Sequence, residues 1–103
     1  MMNMDDRLKK LSDEIIRISG ACRLILFSYK QDTGGNLSSV KLCAVIKSGD
    51  SQEMENKLYL NIDSELPFDI LVYNQAEWDN LLKDEMSFAS RINSLGRVLH
   101  AAD

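Results

Sequence analysis

Three short apolar runs, residues 24–27, 40–46 and 68–73, are separated along the chain by segments of a different periodicity. Short runs rich in branched and aromatic side chains are typical of buried strands. Residues 5–19 and 51–62 carry apolar side chains at intervals of three and four, which predicts two amphipathic helices. Strands that alternate with helices indicate an α/β fold with a small mixed β-sheet flanked by helices.

Turn and cap residues set the expected boundaries of these elements. Gly20 is the predicted end of the first helix, and Ser51 is the predicted N-cap of the second. Asn74 is a predicted cap for a helix over residues 75–83. Another helical stretch covers residues 87–95 and ends at Gly96. After it, residues 97–100 form either a short edge strand or a segment that packs down without pairing.

The segment between the first two strands is predicted to be a loop over residues 30–38. Its centre, residues 33–36, reads Thr-Gly-Gly-Asn, which is a turn-forming cluster. The cluster lacks the Lys-Ser/Thr ending and the following helix of a phosphate-binding loop. It is therefore interpreted as a flexible turn.

Length and charge limit the classes of protein. A chain of 103 residues with 45% hydrophobic residues suits a single domain over residues 1–103. The net charge is -4, and the chain lacks the clustered Lys and Arg residues that binding of long nucleic acids requires. No apolar run reaches the roughly 18 residues of a membrane span, and the charged start of the chain is unlike a secretory signal. We expect a cytoplasmic protein that binds neither nucleic acid nor membrane.

Two cysteines, one histidine and one tryptophan are interpreted as structural residues. Cys22 and Cys43 fall at or within predicted strands, where free thiols behave as small buried hydrophobes. His100 lies far from both in sequence, so a zinc site is not expected. The same histidine is the only one in the chain, so a Ser-His catalytic pair with Ser28 is not expected either. Trp78 is assigned to core packing rather than to base stacking.

The order of strands and polar residues matches a known pattern. Ser28 and Tyr29 close the first apolar run, Ser39 and Lys41 open the second, and Asp69 lies at the start of the third. Residues 67–99 match the same pattern in nearly every segment, including residues 71–73, 77–78, 87–89 and 96–99. Over about residues 8–99, the chain resembles the minimal nucleotidyltransferase domains of the polymerase-beta-like superfamily.

In that family, a Gly-Ser pair holds phosphates and three acidic residues bind two magnesium ions for nucleotide transfer. The resemblance assigns the family serine to Ser28 and the third carboxylate to Asp69. The two acids of the Asp-x-Asp pair are replaced by Ser39 and Lys41. Phe27 stands where the family has Gly, and the Arg-Gly after the Ser-Tyr pair is replaced by residues 31–32. The resemblance thus implies a degenerate nucleotide cleft without a metal site.

Two hypotheses concern Lys41. Its ammonium group stands in for the missing cation and pairs with Asp69, provided that both side chains lie on one sheet face. Alternatively, Lys41 is a solvated strand residue and Asp69 an ordinary carboxylate at a strand start. A third possibility is that Asp32, Asp50 or another acid has moved in as a metal ligand. For Ser28, the alternatives are a remnant of the phosphate loop and simple capping of a strand end.

The resemblance leads to a functional expectation with alternatives. The expected protein is a nucleotidyltransferase-like pseudoenzyme that needs no cofactor and binds a protein, as an antitoxin-like partner of a helical HEPN protein or of itself. A nucleotide-sensing module that binds without turnover is a variant of this prediction. The rival is an active transferase that uses magnesium and a nucleoside triphosphate to modify a protein or small molecule.

Overall fold

Four helices and four strands occupy the part of the chain that the computed structural model describes, residues 5–102. In chain order they are α1 (Asp6–Ser19), β1 (Arg23–Gln31), β2 (Leu37–Ile46), α2 (Ser51–Asn61), β3 (Phe68–Asn74), α3 (Gln75–Leu82), α4 (Phe88–Leu95) and β4 (Arg97–Ala101). The predicted helices and strands are all present, most of them within one or two residues of the expected bounds.

All four strands belong to one mixed sheet with the order β3-β2-β1-β4. β1 is antiparallel to both of its neighbours, β2 and β4, whereas β2 and β3 are parallel. Parallel neighbours need a crossover connection, and α2 provides it. The predicted α/β fold with a mixed sheet is confirmed. The segment after α4, for which two outcomes were open, is an edge strand.

The sheet is packed on both faces, and side chains alternate between two apolar clusters. We call the face that packs against α1 and α2 the first face, and the face that packs against α3 and α4 the second face. The first-face cluster includes Leu24, Leu42 and Ile70 from the sheet with Leu11 and Leu58 from the helices. The second-face cluster is smaller and includes Ile25, Cys43, Val45, Trp78, Ala89 and Ile92. Trp78 is only 2% exposed, which confirms its predicted packing role.

Helix caps follow the sequence signals with one exception. Asp5 caps α1, and Gly20 ends it in the left-handed conformation with φ of 64°. The prediction that Ser51 caps α2 is wrong. Asp50 is the cap, because its carboxylate accepts the amide hydrogen of Glu53 at 3.0 Å.

The start of α2 is tied to the start of α3. The hydroxyl of Ser51 donates a hydrogen bond to the carboxylate of Glu77. The same carboxylate accepts from the backbone amide of Asn74 at 2.9 Å, and the Asn74 side chain accepts from the amide of Glu77 to complete a capping box. The two hydrogen bonds that the carboxylate accepts lower the pKa of Glu77, and the bond from Ser51 has the larger effect. Ser51 therefore links two helices instead of capping one.

The connection between β1 and β2 is shorter than predicted. The expected loop over residues 30–38 shrinks to five residues, 32–36, because β1 continues to Gln31 and β2 begins at Leu37. The carboxylate of Asp32 accepts from the amides of Gly34 at 2.9 Å and Asn36 at 3.0 Å, which stabilises a tight turn. The strand ends beside this turn are largely exposed and polar, so they lack the apolar signal that marks a strand in a sequence.

The outer edge of β3 is closed by side chains of α2. The backbone amide of Ile70 donates to the Tyr59 hydroxyl at 2.8 Å, and that of Val72 donates to the Glu55 carboxylate at 3.0 Å. The Tyr59 ring also stacks on Phe68 with 5.6 Å between ring centroids. An edge whose amides are already bonded cannot template another strand.

Across residues 5–102, no helix combines the length and the apolar character that a membrane crossing would require.

We predict that Gly96→Ala destabilises the fold because no space exists for a methyl group. A Cβ atom at Gly96 would lie 2.3 Å from Ile25 Cγ2 and 2.6 Å from the Ile92 carbonyl oxygen. Overpacking of this kind costs about 1–3 kcal/mol. The matched control is Gly34→Ala, whose Cβ would make ordinary contacts of 3.4 and 3.5 Å. Urea unfolding should show a clear loss for the first variant and a change within about 0.5 kcal/mol for the second.

We also predict that the two thiols differ in reactivity. Burial raises the pKa of Cys43 to about 12, so the reactive thiolate is scarce at neutral pH. Cys22 is only half-buried, and its thiol contacts the Val45 carbonyl and the Gln75 side chain. Iodoacetamide followed by mass spectrometry should modify the native protein at Cys22 first, and Cys43 only after unfolding. Equal rates at both sites in the native state would contradict the buried position of Cys43.

Candidate functional site

Three of the residues singled out from the sequence form one row across the sheet. Ser28 on β1 is paired with Lys41 on β2, and Lys41 is paired with Asp69 on β3. Neighbouring strands lie about 4.8 Å apart, so the three backbones are adjacent although their positions span the chain from 28 to 69. We call these residues the polar row.

The polar row lies on the second face of the sheet. Side chains two positions apart on a strand share a face. Lys41 is two positions from the buried Cys43, and Asp69 is two positions from Leu71, which packs against the same second-face cluster. Lys41 and Asp69 therefore project from the same face, which is the condition that the pairing hypothesis had to meet.

Ser28 joins this face through a β-bulge. Leu26 is paired with Leu42 and Ser28 with the preceding residue of β2, Lys41, so Phe27 is the extra residue on β1. The Phe27 ring packs against the second-face cluster and meets Phe88 edge-on at 5.6 Å between centroids. The position where the resembled family has Gly is thus filled by an aromatic ring.

The row is open to solvent. Ser28, Lys41 and Asp69 are all exposed, whereas Cys43 and Val45 farther along β2 are buried beneath α3 and α4. The two helices cover only part of the second face, and the part left uncovered carries the polar row. We call this uncovered part of the second face the platform. A ligand can reach the platform without any rearrangement of the fold.

Lys41 and Asp69 are not in ion-pair contact. Within residues 5–102 the ion pairs are Asp5–Arg7, Lys9–Asp13 and Glu14–Arg17. Both members of the row are exposed, and a solvated pair of this kind would contribute less than about 1 kcal/mol. The shared face is confirmed, but the direct pairing of the two charges is not present.

Lys30 is a further cation on this platform that sequence reasoning missed. It is paired with Ser39, which is two positions from Lys41 on the same strand. Residues opposite each other in an antiparallel pair share a face, so Lys30 and Ser39 lie on the second face with the polar row. The predicted loop over residues 30–38 includes Lys30, because β1 beyond Tyr29 is exposed and polar and leaves no apolar signal. If the strand is extended to the turn residue Asp32, alternation along β1 places Lys30 on the same face as Ser28.

The alternative metal ligands do not join the row. Asp32 stabilises the hairpin turn, and Asp50 caps α2 beyond the other end of β2. Among residues 5–102, no group of three or more His, Cys, Asp or Glu residues is placed to hold a metal ion. Hard divalent cations bind through several oxygen ligands, mostly carboxylates. The polar row offers one carboxylate beside an ammonium group, so the residues present do not fit the magnesium pair of the resembled family.

The structure also places His100 away from Ser28. His100 is on β4 and is paired with Leu24, near the opposite end of β1. His100 therefore cannot serve Ser28 as a general base, as expected from the sequence. What the platform can do chemically is bind an anionic or polar group through two lysines and two hydroxyls.

Comparison with known proteins adds no relative: no family model, no curated protein and no solved structure matches this chain.

Proposed function

We propose that this chain is a nucleotidyltransferase-like protein that has lost metal-dependent transfer and acts by binding a protein partner. The expected partner is a HEPN-type helical protein, in an antitoxin-like role, or a second copy of the chain. The proposal combines the resemblance in sequence with the geometry of the polar row. Asp69 is then the remnant of the third carboxylate, and Ser28, Ser39 and Lys41 are remnants of the nucleotide cleft.

The observation that carries the loss of transfer is the place of Lys41 in the row. It is adjacent in register to both Ser28 and Asp69, where an intact site would present a carboxylate to the metal. Three carboxylates contribute a charge of about -3, whereas Ser39, Lys41 and Asp69 sum to about zero. An ammonium group at this point repels a divalent cation instead of ligating it.

The bulge at Phe27 supports the same conclusion. A phosphate-holding loop needs backbone amides that point into open space, and glycine permits the close approach. Here the equivalent position is a ring packed against Phe88. Ser28 remains on the platform, but the chain before it is part of the apolar core.

Exposed apolar side chains near α4 and β4 support protein binding. Leu95 is 79% exposed, Phe88 51% and Val98 46%. Isolated exposed apolar residues need no explanation, but Phe88 and Leu95 lie seven positions apart on α4, a spacing that places them on one face of the helix, and Val98 follows on β4. Such clusters mark interaction surfaces more often than the rest of a protein surface.

A second candidate, nucleotide sensing, is favoured by the two lysines of the platform. Lys30 and Lys41 share a face with the hydroxyls of Ser28 and Ser39. Ammonium groups bind phosphate as point charges and hydroxyls complete the hydrogen bonds, so no metal is required. Binding of a nucleotide without turnover is compatible with the protein-binding proposal.

We predict that the native protein shows no divalent-metal-dependent binding of ATP or GTP. The measurement is calorimetric titration with each nucleotide in the presence of magnesium, manganese or EDTA. The variant Ser39→Asp with Lys41→Asp restores three carboxylates on one face. We expect it to bind ATP at least about tenfold more tightly with magnesium than with EDTA, a difference of about 1.4 kcal/mol.

The matched control for the restored variant is Ser38→Asp with Lys47→Asp. It makes the same change in net charge, but Ser38 is on the other face of β2 and Lys47 lies beyond its far end. Magnesium-dependent binding by the native protein would overturn the proposal in favour of an active transferase that uses magnesium and a nucleoside triphosphate. Radiolabel transfer, with Asp69→Ala as the inactive control, would then be the next measurement. Metal-independent binding that Lys30→Ala and Lys41→Ala abolish would establish the sensor.

A further inference from the structure

A notch opens at the sheet edge where β4 stops short of β1. The last pairing between them joins Leu26 to Arg97, whereas β1 continues to Gln31 with β2 on its other side only. The notch is a groove of about 700 Å³. Its walls come from the first turn of α1, the end of α4 and the β1–β2 hairpin, and include Asp5, Leu8, Phe27, Tyr29, Leu37 and Leu95. The notch is the place that a longer β4 would fill.

The backbone of β1 in the notch has hydrogen-bonding groups to offer. The amide of Asp32 donates to the Asn36 carbonyl at 2.8 Å, so Asp32 faces β2. Backbone groups alternate in direction along an antiparallel strand, which turns those of Tyr29 and Gln31 toward the notch. No side chain within residues 5–102 hydrogen-bonds to them. The β3 edge, by contrast, is closed by Tyr59 and Glu55. The part of β1 beside the notch therefore lacks the protection that the β3 edge has.

The surface around the notch complements itself. Tyr29 is 56% exposed and Leu95 is 79% exposed, and both line the groove. The exposed Tyr29 ring can therefore contact a second molecule, and the groove beside it has room for a ring from that molecule. The protruding side chain and the groove that receives it thus lie on the same strand edge. This is what a two-fold symmetric contact requires, because each copy supplies the same patch.

Charged side chains of both signs surround the notch, although the chain carries a net charge of -4. Asp5 and Arg97 line the groove, and Lys30 and Asp32 are on the hairpin beside it. Arg7 pairs with Asp5 and donates to the Leu37 carbonyl at 2.7 Å, so it adds a third base beside the groove. Two copies of the notch therefore meet with acids and bases on both sides, which limits the repulsion caused by their net charge of -4 each.

We infer that the notch binds the β1 edge of a second copy of this chain in antiparallel orientation. The two four-stranded sheets then form one continuous sheet of eight strands through β1. In this pairing, Tyr29 lies opposite Tyr29 of the second copy, and each ring is directed toward the other copy's groove. The contact uses main-chain hydrogen bonds for affinity and the groove for specificity, as in other cases of strand addition. A contact of only a few paired residues per copy belongs to the weak, micromolar class.

The inference deepens the protein-binding part of the proposed function by naming the surface and the partner. The notch contact and the loss of metal-dependent transfer are tested by different measurements, so either claim can fail while the other stands. A protein that stays monomeric overturns the notch contact and leaves the metal titrations unaffected. Metal-dependent nucleotide binding overturns the loss of transfer and leaves the self-association unaffected.

The test is sedimentation velocity of the native protein from roughly 1 µM to 1 mM, a range that spans weak and moderate affinities. We expect a reversible shift toward twice the monomer mass. Tyr29→Lys places a charge in the groove and Gln31→Pro removes an amide that faces the notch, while β1–β2 pairing is kept. Both variants should stay monomeric, with thermal unfolding close to that of the native protein. Amide exchange at Tyr29 and Gln31 should slow as the native concentration rises.

Leu60→Lys is the matched control for Tyr29→Lys. Leu60 is 83% exposed on α2, remote from the notch, so its loss removes a comparable apolar side chain without touching the edge. This variant should associate as the native protein does. A native protein that is monomeric at 1 mM, or a dimer that survives both Tyr29→Lys and Gln31→Pro, overturns the inference.

Discussion

The sheet is buried on both faces over only part of its length, and the other features of the molecule depend on that limit. α1 and α2 cover the first face, and α3 and α4 cover the second only as far as Cys43 and Leu71. Where cover ends, the strands lose their apolar alternation and become polar. The polar row and the notch both lie in this uncovered part.

The polar row brings three polar side chains together on one face of the sheet. Position and face agree with what a metal site would need, since Lys41 and Asp69 are neighbours in register on one face. The side chains do not suit a metal, because the row offers an ammonium group and a single carboxylate. With Lys30 on the hairpin, the platform carries two ammonium groups, whereas a metal site needs negative charge. The platform therefore suits an anionic or polar group better than a divalent cation.

The β3 edge and the part of β1 beside the notch differ in how their outward backbone groups are used. On β3, the Tyr59 hydroxyl and the Glu55 carboxylate accept the outward amides, so the strand is closed by its own crossover helix. On β1, the backbone groups at Tyr29 and Gln31 face a groove instead. Natural sheets protect their edges because an open edge pairs with other chains. The β3 edge is protected in this way, and the part of β1 beside the notch is not.

The sequence by itself determined the kinds of element and most of their bounds, because burial leaves a periodic pattern and caps need particular residues. The first three apolar runs, Gly20, Asn74 and Gly96 fell where expected. It also supplied the residue types of the site. It misplaced the cap of α2, since Asp50 and Ser51 are both good caps and only the contact with Glu77 separates them.

Only the tertiary structure decided the register that sets Ser28, Lys41 and Asp69 side by side and the bulge that turns Ser28 to their face. The length of the β1–β2 hairpin, the place of Lys30 and the notch beside β4 were decided in the same way. These features depend on pairing between distant segments and on exposed strand residues. Neither leaves a periodic apolar signal in one segment, so the physical information appears only when the strands meet.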